Sequence, residues 1–413
     1  MPGSRSRREF IAASGAAGLA LAAGCLGTLG ADGRGASLDA EASAQFRGGL
    51  RRQGVYPDAS IPAEPAVEWV VRDVNTGDHT AAKASPVATP DGDVVIPGDS
   101  GVLRRVTPAG EVVWATRLTT ASRGMHGTPA IANGTVYIGA YDGACYAVDL
   151  ETGERAWRRR LGDAIGSSPG YHEGQLYLAV EHRGPDGSLF ALDAATGRPT
   201  WVDNRPTDHP HSTCAIDRAA GRLLVGSNDG TLYAWSYPGL EFVWSFETGR
   251  PIKGPVATGA GTAFFGSWDG TAYAVALDDG SETWSFDADG LVMSGPAIER
   301  SSGTVYLGSH DTTLYALDLE SGAVRWRFES GGRLIGCPTV TAEHVLVGSY
   351  DGHLYAVGKA TGEPAWRVEG VGRVTSTPLV LDGAVYFADR ASKAHLQGEG
   401  GPTGGLYKVG PGA

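Results

Sequence analysis

Lysine is scarce in this chain: Lys83, Lys253, Lys359, Lys393 and Lys408 are all it carries, and arginine supplies the rest of the positive charge. Acidic residues outnumber basic ones 46 to 34, for a formal net charge of −12. A general nucleic-acid binder presents a basic face, so that class is not expected. Cysteine is rarer still, with four in 413 residues. Beyond Cys25 the remaining three, Cys145, Cys214 and Cys337, lie in separate stretches and cannot close a complete disulfide framework. Buried free thiols in strands are expected instead. Without a C-x-x-C there is neither a zinc ribbon nor attached haem. No His-Glu-x-x-His or phosphate-binding loop suggests an activity either.

A long apolar run is missing too. The stretch from Ile11 to Gly24 is well short of the roughly 20 residues that cross a bilayer. Its flanks give it another meaning. Ser6-Arg7-Arg8-Glu9-Phe10-Ile11 is a twin-arginine pattern, and Leu21-Ala22-Ala23-Gly24-Cys25 has the form of a lipobox. Residues 1–25 are therefore expected to direct export through the twin-arginine route, with a lipid anchor at Cys25 on the extracytoplasmic face of the cytoplasmic or outer membrane. Residues 26–65 are Gly-, Ala-, Ser-, Asp- and Pro-rich, as a tether would be. Within them, Gln45-Phe46-Arg47-Gly48-Gly49 and Gly54-Val55-Tyr56-Pro57 are expected to pack on the domain at 66–413.

Glycine is abundant, at 62 residues, and it recurs with a long period. Trp69, Trp114, Trp157, Trp201, Trp244, Trp284, Trp326 and Trp366 are separated by 45, 43, 44, 43, 40, 42 and 40 residues. A second marker opens each unit: Pro86, Pro129, Pro169, Cys214, Pro255, Pro296, Pro338 and Pro378. Within a unit, Asn133-Gly134 and Asp142-Gly143 separate short apolar runs, which is a strong hairpin signal because such turns favour residues that tolerate positive φ. Four short antiparallel strands per 40-residue period form one blade of a β-propeller. The first Trp precedes the first marker and the last marker has no Trp after it. The predicted fold is therefore an all-β, eight-bladed propeller of four-stranded blades, its ring closed by an N-terminal strand that completes the last blade. Each repeated Trp is expected to dock on the next blade. Trp284→Ala should accordingly destabilise the ring more than Trp235→Ala, since Trp235 lies off the repeat.

Tyr146-Ala147-Val148-Asp149-Leu150-Glu151-Thr152-Gly153, Phe190 to Gly197 and Tyr315 to Gly322 share the pattern aromatic-Ala-x-Asp-x-x-Thr/Ser-Gly, with Trp four residues later. Over about 66–410 the chain resembles the PQQ-like propeller repeat family, which includes BamB-type lipoproteins and the quinoprotein alcohol dehydrogenases. The lipid-anchored, eight-bladed plan resembles the first group. That resemblance implies a rigid protein-binding scaffold whose partner is a membrane protein or an acidic partner segment, with no cofactor, no metal and no catalytic residue, in a monomeric ring. The second group implies a dehydrogenase using PQQ and calcium, usually with an adjacent cysteine pair, which this sequence lacks. A ligand-sensing propeller is a third possibility.

Propeller geometry puts the loops leading into each inner strand and the turns between second and third strands on one face. The lead-in loops carry Lys83, Arg123, His126, His211, Arg250, Lys253, Arg333 and Arg373, and the turns carry Tyr141, Asn228, Trp268, His310 and Tyr350. A mouth of cations and aromatics suits a carboxylated ligand or an acidic segment. The competing possibility is that each arginine merely pairs with a neighbouring turn aspartate. Asp208-His209-Pro210-His211 is expected to be a solvated loop, and the sequon at Asn133 coincides with a hairpin turn.

Overall fold

The computed structural model describes residues 44–76, 84–390 and 403–412. The signal segment, Cys25, Lys83 and the stretch 391–402 lie outside the described residues. Strands pair into eight antiparallel sheets of four, arranged as a propeller. Blade 1 consists of Val87–Ala88, Val94–Ile96, Val102–Val106 and Val112–Arg117. Blades 2 to 7 follow over 130–160, 170–203, 215–247, 257–287, 297–329 and 339–369. Blade 8 takes Leu379–Leu381, Ala384–Ala388 and Gly404–Pro411 from one end of the chain and Pro65–Asn75 from the other. The ring is thus closed by the N-terminal strand, as the phase of the Trp and Pro markers predicts.

The repeated motif and the repeated Trp turn out to be one device. Asp149 Oδ1 accepts the Thr152 N–H at 2.8 Å and the Thr152 hydroxyl at 2.9 Å, which fixes the turn between third and fourth strands. Gly153 follows at φ 73°, and a Cβ there would lie 2.7 Å from the Trp114 ring of the preceding blade. Trp114 Nε1 donates to Leu150 O in the same turn at 2.9 Å. Trp69, Trp157, Trp244, Trp284 and Trp326 repeat that bond to Pro108, Ala194, Leu277, Leu319 and Lys359. Blade 8 has no such turn, so Trp366 bonds Pro62 O, just before the closing strand.

Trp201 is the exception. Its neighbour's turn, Tyr237-Pro238-Gly239-Leu240, puts Leu240 at φ 57° where the others place glycine. Trp201 instead meets Trp235 edge-on, with ring centroids 6.1 Å apart. Trp235 is therefore no neutral off-repeat residue: it is fully buried, and its Nε1 donates to Asp203 Oδ2 at 2.9 Å. The expectation that its loss would be mild is corrected. A second correction concerns the marker at Pro255. Val256 precedes the inner strand Ala257–Gly259 as Pro129 precedes Ala130–Ala132, so Pro255 sits one place early.

That shift has a structural counterpart. Ser85, Thr128, Ser168, Thr213, Pro255, Gly295, Cys337 and Thr377 occupy equivalent places around the axis. Backbone N–H groups donate to the next blade's side chain from Ser85 to Thr128, Thr128 to Ser168, Ser168 to Thr213, Gly295 to Cys337, Cys337 to Thr377 and Thr377 to Ser85. The belt breaks on both sides of Pro255, which has neither an N–H nor a hydroxyl to offer, and Gly295 after it has no side chain to accept a bond.

The segment ahead of the closing strand threads the axis. Gln45 exchanges hydrogen bonds with the Tyr171 backbone at 2.8 and 2.9 Å. Ala44, Leu50, Arg51, Gln53 and Gly54 pair with backbone N–H groups of Ile131, Ile216, Thr258, Ile298 and Val340. Inner-strand edges of blades 2 to 7, which would otherwise face an open channel, are thus supplied with partners. Arg47 and Arg52 are buried within this strap, and both bond main-chain carbonyls of the ring. The expected packing of Gln45–Gly49 and Gly54–Pro57 takes this form. Cys145, Cys214 and Cys337 are buried and free, and burial pushes the Cys145 thiol up to about 12.

One buried carboxylate responds to pH. In blade 8, Asp389 accepts the N–H groups of Gly405 and Gly372 and the Tyr407 hydroxyl, at 2.8, 2.9 and 3.0 Å. Burial nevertheless outweighs those bonds and pushes it up from 3.8 to about 6. A raised carboxyl contributes its stability below the unfolded value and loses it as pH rises through the folded one. Between pH 4 and 7 the protein is expected to lose on the order of 3 kcal/mol from this group. Denaturant unfolding across that range checks this: the component should vanish in Asp389→Asn, and an unchanged pH profile would contradict it.

Candidate binding mouth

Turn carboxylates, abundant as they are, turn out to be structural. The third-strand tyrosines Tyr146, Tyr233, Tyr273, Tyr315 and Tyr355 donate to Asp142, Asp229, Asp269, Asp311 and Asp351. Burial, then the adjacent carboxylate, pushes the Tyr233, Tyr273 and Tyr315 hydroxyls up to about 12. Each such aspartate is therefore committed to its own blade, and the mouth arginines do not pair with them. Among the described residues, two ion pairs lie in the mouth besides the neighbouring His209–Asp208: His211–Glu181 and Arg390–Asp99. Neither includes Arg123, Arg250, Arg333 or Arg373.

The mouth cations meet aromatics instead. Lys253 Nζ stands 3.9 Å from the Trp268 ring centroid, the Arg373 guanidinium 4.8 Å from that of Tyr350, and Arg123 5.6 Å from that of Tyr141. His126 is buried with its ring 4.4 Å from Tyr141. The turns hold their residues through the lead-in loops: backbone N–H groups of Tyr141, Asn228, Trp268, His310 and Tyr350 donate to carbonyls of Gly124, His209, Pro251, Leu291 and Arg333. Arg123, Arg250 and Arg333 are exposed, and Arg373 is half-buried. All the described candidates thus share one face. Asn228, His310 and the Arg250 side chain make none of these cation–aromatic contacts.

Glu181 was not legible as a site residue. In blade 3 the second and third strands are longer, Gln175–Glu181 and Gly187–Asp193, and carry Glu181 to the axis where other blades have a tight turn. His211 Nδ1 lies 2.8 Å from Glu181 Oε1 and 3.5 Å from the Tyr141 hydroxyl. Burial pushes Glu181 up, but the hydrogen bond and charge of His211, with His209 and Arg123, hold it below its ordinary value. Burial also draws Lys253 down, against the pull of Glu181 and Asp208. His209 faces His182 O at 2.9 Å, so the two histidines of the 208–211 run serve different partners. Among the described residues no His, Cys, Asp or Glu group is arranged to hold a metal. Gly166-Ser167-Ser168-Pro169-Gly170 has the spelling of a nucleophile elbow, but the Ser168 hydroxyl belongs to the inter-blade belt. The Asn133 amide likewise bonds Tyr171.

The axis itself is nearly filled. Phe46 of the strap forms the floor below His126, His211, Lys253 and Cys337, leaving a cavity of about 30 Å³. Ligand pockets are typically about 300–1,000 Å³. A tricyclic quinone with a calcium ion does not fit these residues. The space is too small, the Glu181 carboxylate is paired with His211, and the cysteines stand apart.

The family model of outer membrane protein assembly factor BamB matches residues 99–234, 209–328 and 269–398. BamB of Yersinia pestis is 25% identical over 227 residues, covering 50% of this chain and 55% of the relative. The 1-butanol dehydrogenase (cytochrome c) of Thauera butanivorans is 28% identical over 130 residues, 28% of this chain and 18% of the enzyme. The chain therefore spans about half of the first relative's length and under a fifth of the second's. Among solved structures, the quinohemoprotein alcohol dehydrogenase of Comamonas testosteroni superposes with a TM-score of 0.74 at 15% identity, over 89% of this chain and 80% of that one. BamB from Moraxella catarrhalis superposes with a TM-score of 0.62 at 17% identity, over 84% and 99%. At such identities the likeness is one of fold. From the sequence match over most of the ring, this chain belongs to the PQQ-like propeller repeat family of outer membrane protein assembly factor BamB.

Proposed function

We propose that the chain is an exported docking platform, anchored through Cys25, whose mouth receives an acidic segment of a membrane-protein partner. One observation carries this: the lead-in cations Arg123, Lys253 and Arg373 are held against aromatic rings, and no carboxylate of the described ring lies in ion-pair contact with Arg123, Arg250, Arg333 or Arg373. Such a surface is preorganised for carboxylates and needs little rearrangement to bind. Arg333→Glu with Arg373→Glu is expected to cut partner capture at least about tenfold without lowering the melting temperature. Undiminished capture would sink the mouth as the site. Radiolabelled palmitate incorporation that persists in Cys25→Ser would sink the anchor.

A second reading is favoured by the TM-scores: a quinoprotein-type dehydrogenase using PQQ and calcium. The filled axis weighs against it. Titration of the protein with PQQ and calcium, followed by a dye-linked alcohol oxidation assay, separates the two. Stoichiometric binding with turnover would replace the docking reading.

A further inference from the structure

The mouth is not uniformly charged, and its blade 7–blade 8 sector differs from the rest. Arg333 and Arg373 hold the same position in consecutive lead-in loops: Arg333 O accepts the Tyr350 N–H, and Arg373 O accepts the Arg390 N–H, both at 3.0 Å. Their guanidinium groups therefore emerge one blade apart. Tyr350 lies between them, with the Arg373 guanidinium 4.8 Å from its ring centroid. Arg390 occupies in blade 8 the place that Tyr350 occupies in blade 7, and its side chain is 1% exposed. Asp99 Oδ2 stands 3.9 Å from the Arg390 guanidinium and is itself fully buried. Asp99 thus faces the buried arginine, and Asp389 and Asp351 are taken up by backbone N–H groups of Gly372 and Gly331, while Arg333 and Arg373 face the mouth. On the other side of the axis the balance differs, because Glu181 and Asp208 lie within electrostatic reach of Lys253.

We propose that Arg333, Arg373 and Arg390, grouped around Tyr350, form an oxyanion site for a carboxylate or phosphate group. This rests on the mouth being a binding face and names the part of it that recognises the ligand. Guanidinium forks match both anions geometrically, and a guanidinium held against an aromatic ring loses little freedom on binding. Arg390 adds charge from below, offset in part by Asp99, and the two outer arginines close on the anion from the solvent side. Burial raises the Tyr350 hydroxyl and all three arginines pull it down, consistent with a shared focus of positive charge.

Isothermal titration of the protein with inorganic phosphate and, separately, with a triglutamate peptide tests this. Saturable binding of at least one is expected, weakened about tenfold or more by Arg333→Gln and by Arg373→Gln. Arg155→Gln, an equal charge change at an exposed arginine on the outer strand of blade 2, should alter it less than about twofold. Whichever probe binds more tightly names the source of the oxyanion. Failure of both probes to saturate, or equal weakening by Arg155→Gln, overturns the site. If partner capture still depends on the mouth when neither probe binds, this proposal falls and the docking reading stands. If neither probe binds and partner capture does not depend on the mouth, the docking reading falls with it.

Discussion

Trp235→Ala is expected to destabilise the ring at least as much as Trp284→Ala, each by roughly 3–5 kcal/mol. Trp284 is 8% exposed, rests on Gly322 and donates to Leu319 O at 3.0 Å. Trp235 is 0% exposed, touches Trp201, Tyr233 and Phe242, and donates to Asp203. Its removal empties a pocket that blades 3 and 4 share and takes one of two donors from Asp203 Oδ2, which keeps Arg205. Trp201→Ala should cost less than either, because its ring is half-buried and makes no inter-blade hydrogen bond among the described residues. Denaturant unfolding of the three variants checks the order. A Trp235 variant near wild type would mean that blade 4 closes over the loss, and that the packing at this interface is misjudged.

Arg52→Ala is expected to cost on the order of 4 kcal/mol, more than any exposed arginine. The Arg52 guanidinium is 1% exposed and donates to Phe46, Cys214 and Pro169 carbonyls at 3.0, 3.1 and 3.4 Å. Burial draws it below its ordinary range. Removing it leaves three buried acceptors and takes away the side-chain bonds from the strap to blades 3 and 4, leaving the Gln45–Tyr171 and Leu50–Ile216 bonds. Arg52→Met keeps the stem and discards the donors, so a similar loss assigns the effect to hydrogen bonding. Arg51→Ala is the comparison. That side chain is 36% exposed and paired with Asp217 at 3.2 Å, and its loss should cost below about 1 kcal/mol. Equal midpoints for the Arg51 and Arg52 variants would show that the strap contributes little to the ring.

The ring was legible because each blade repeats one local code. The Asp-x-x-Thr-Gly turn, the glycine beneath the preceding Trp and the Trp itself recur together, so counting them counts blades. Closure was legible for the same reason, from a Trp without a marker and a marker without a Trp. What escaped were the places where one blade departs from the code. Leu240 replaces the turn glycine, which turns Trp201 away and gives Trp235 its importance. Pro255 is a marker by identity but not by register, since Val256 opens that inner strand. The strap's course was hidden because its pairing is to strand edges from six different blades, which no local pattern encodes.

The mouth was legible by position and not by partner. Propeller geometry put Lys253, Trp268, Arg373 and Tyr350 on one face, and the structure places each cation over its aromatic ring. Glu181 could have been suspected from the lengthened hairpin of blade 3. Arg390 could have been found by aligning blade 8 with blade 7, where it takes the place of Tyr350. Asp99 opposite Arg390 is a contact between blades at the two ends of the chain, and only closure of the ring creates it.

The most direct test of the docking account is photocrosslinking in the native cell from a benzoyl-phenylalanine placed at Tyr350, with one at the outer-strand position Phe242 as reference. The account predicts a single membrane-protein adduct from Tyr350 that disappears in the Arg333→Glu, Arg373→Glu background, and none from Phe242. An adduct that survives the double reversal, or one from Phe242 alone, would contradict it.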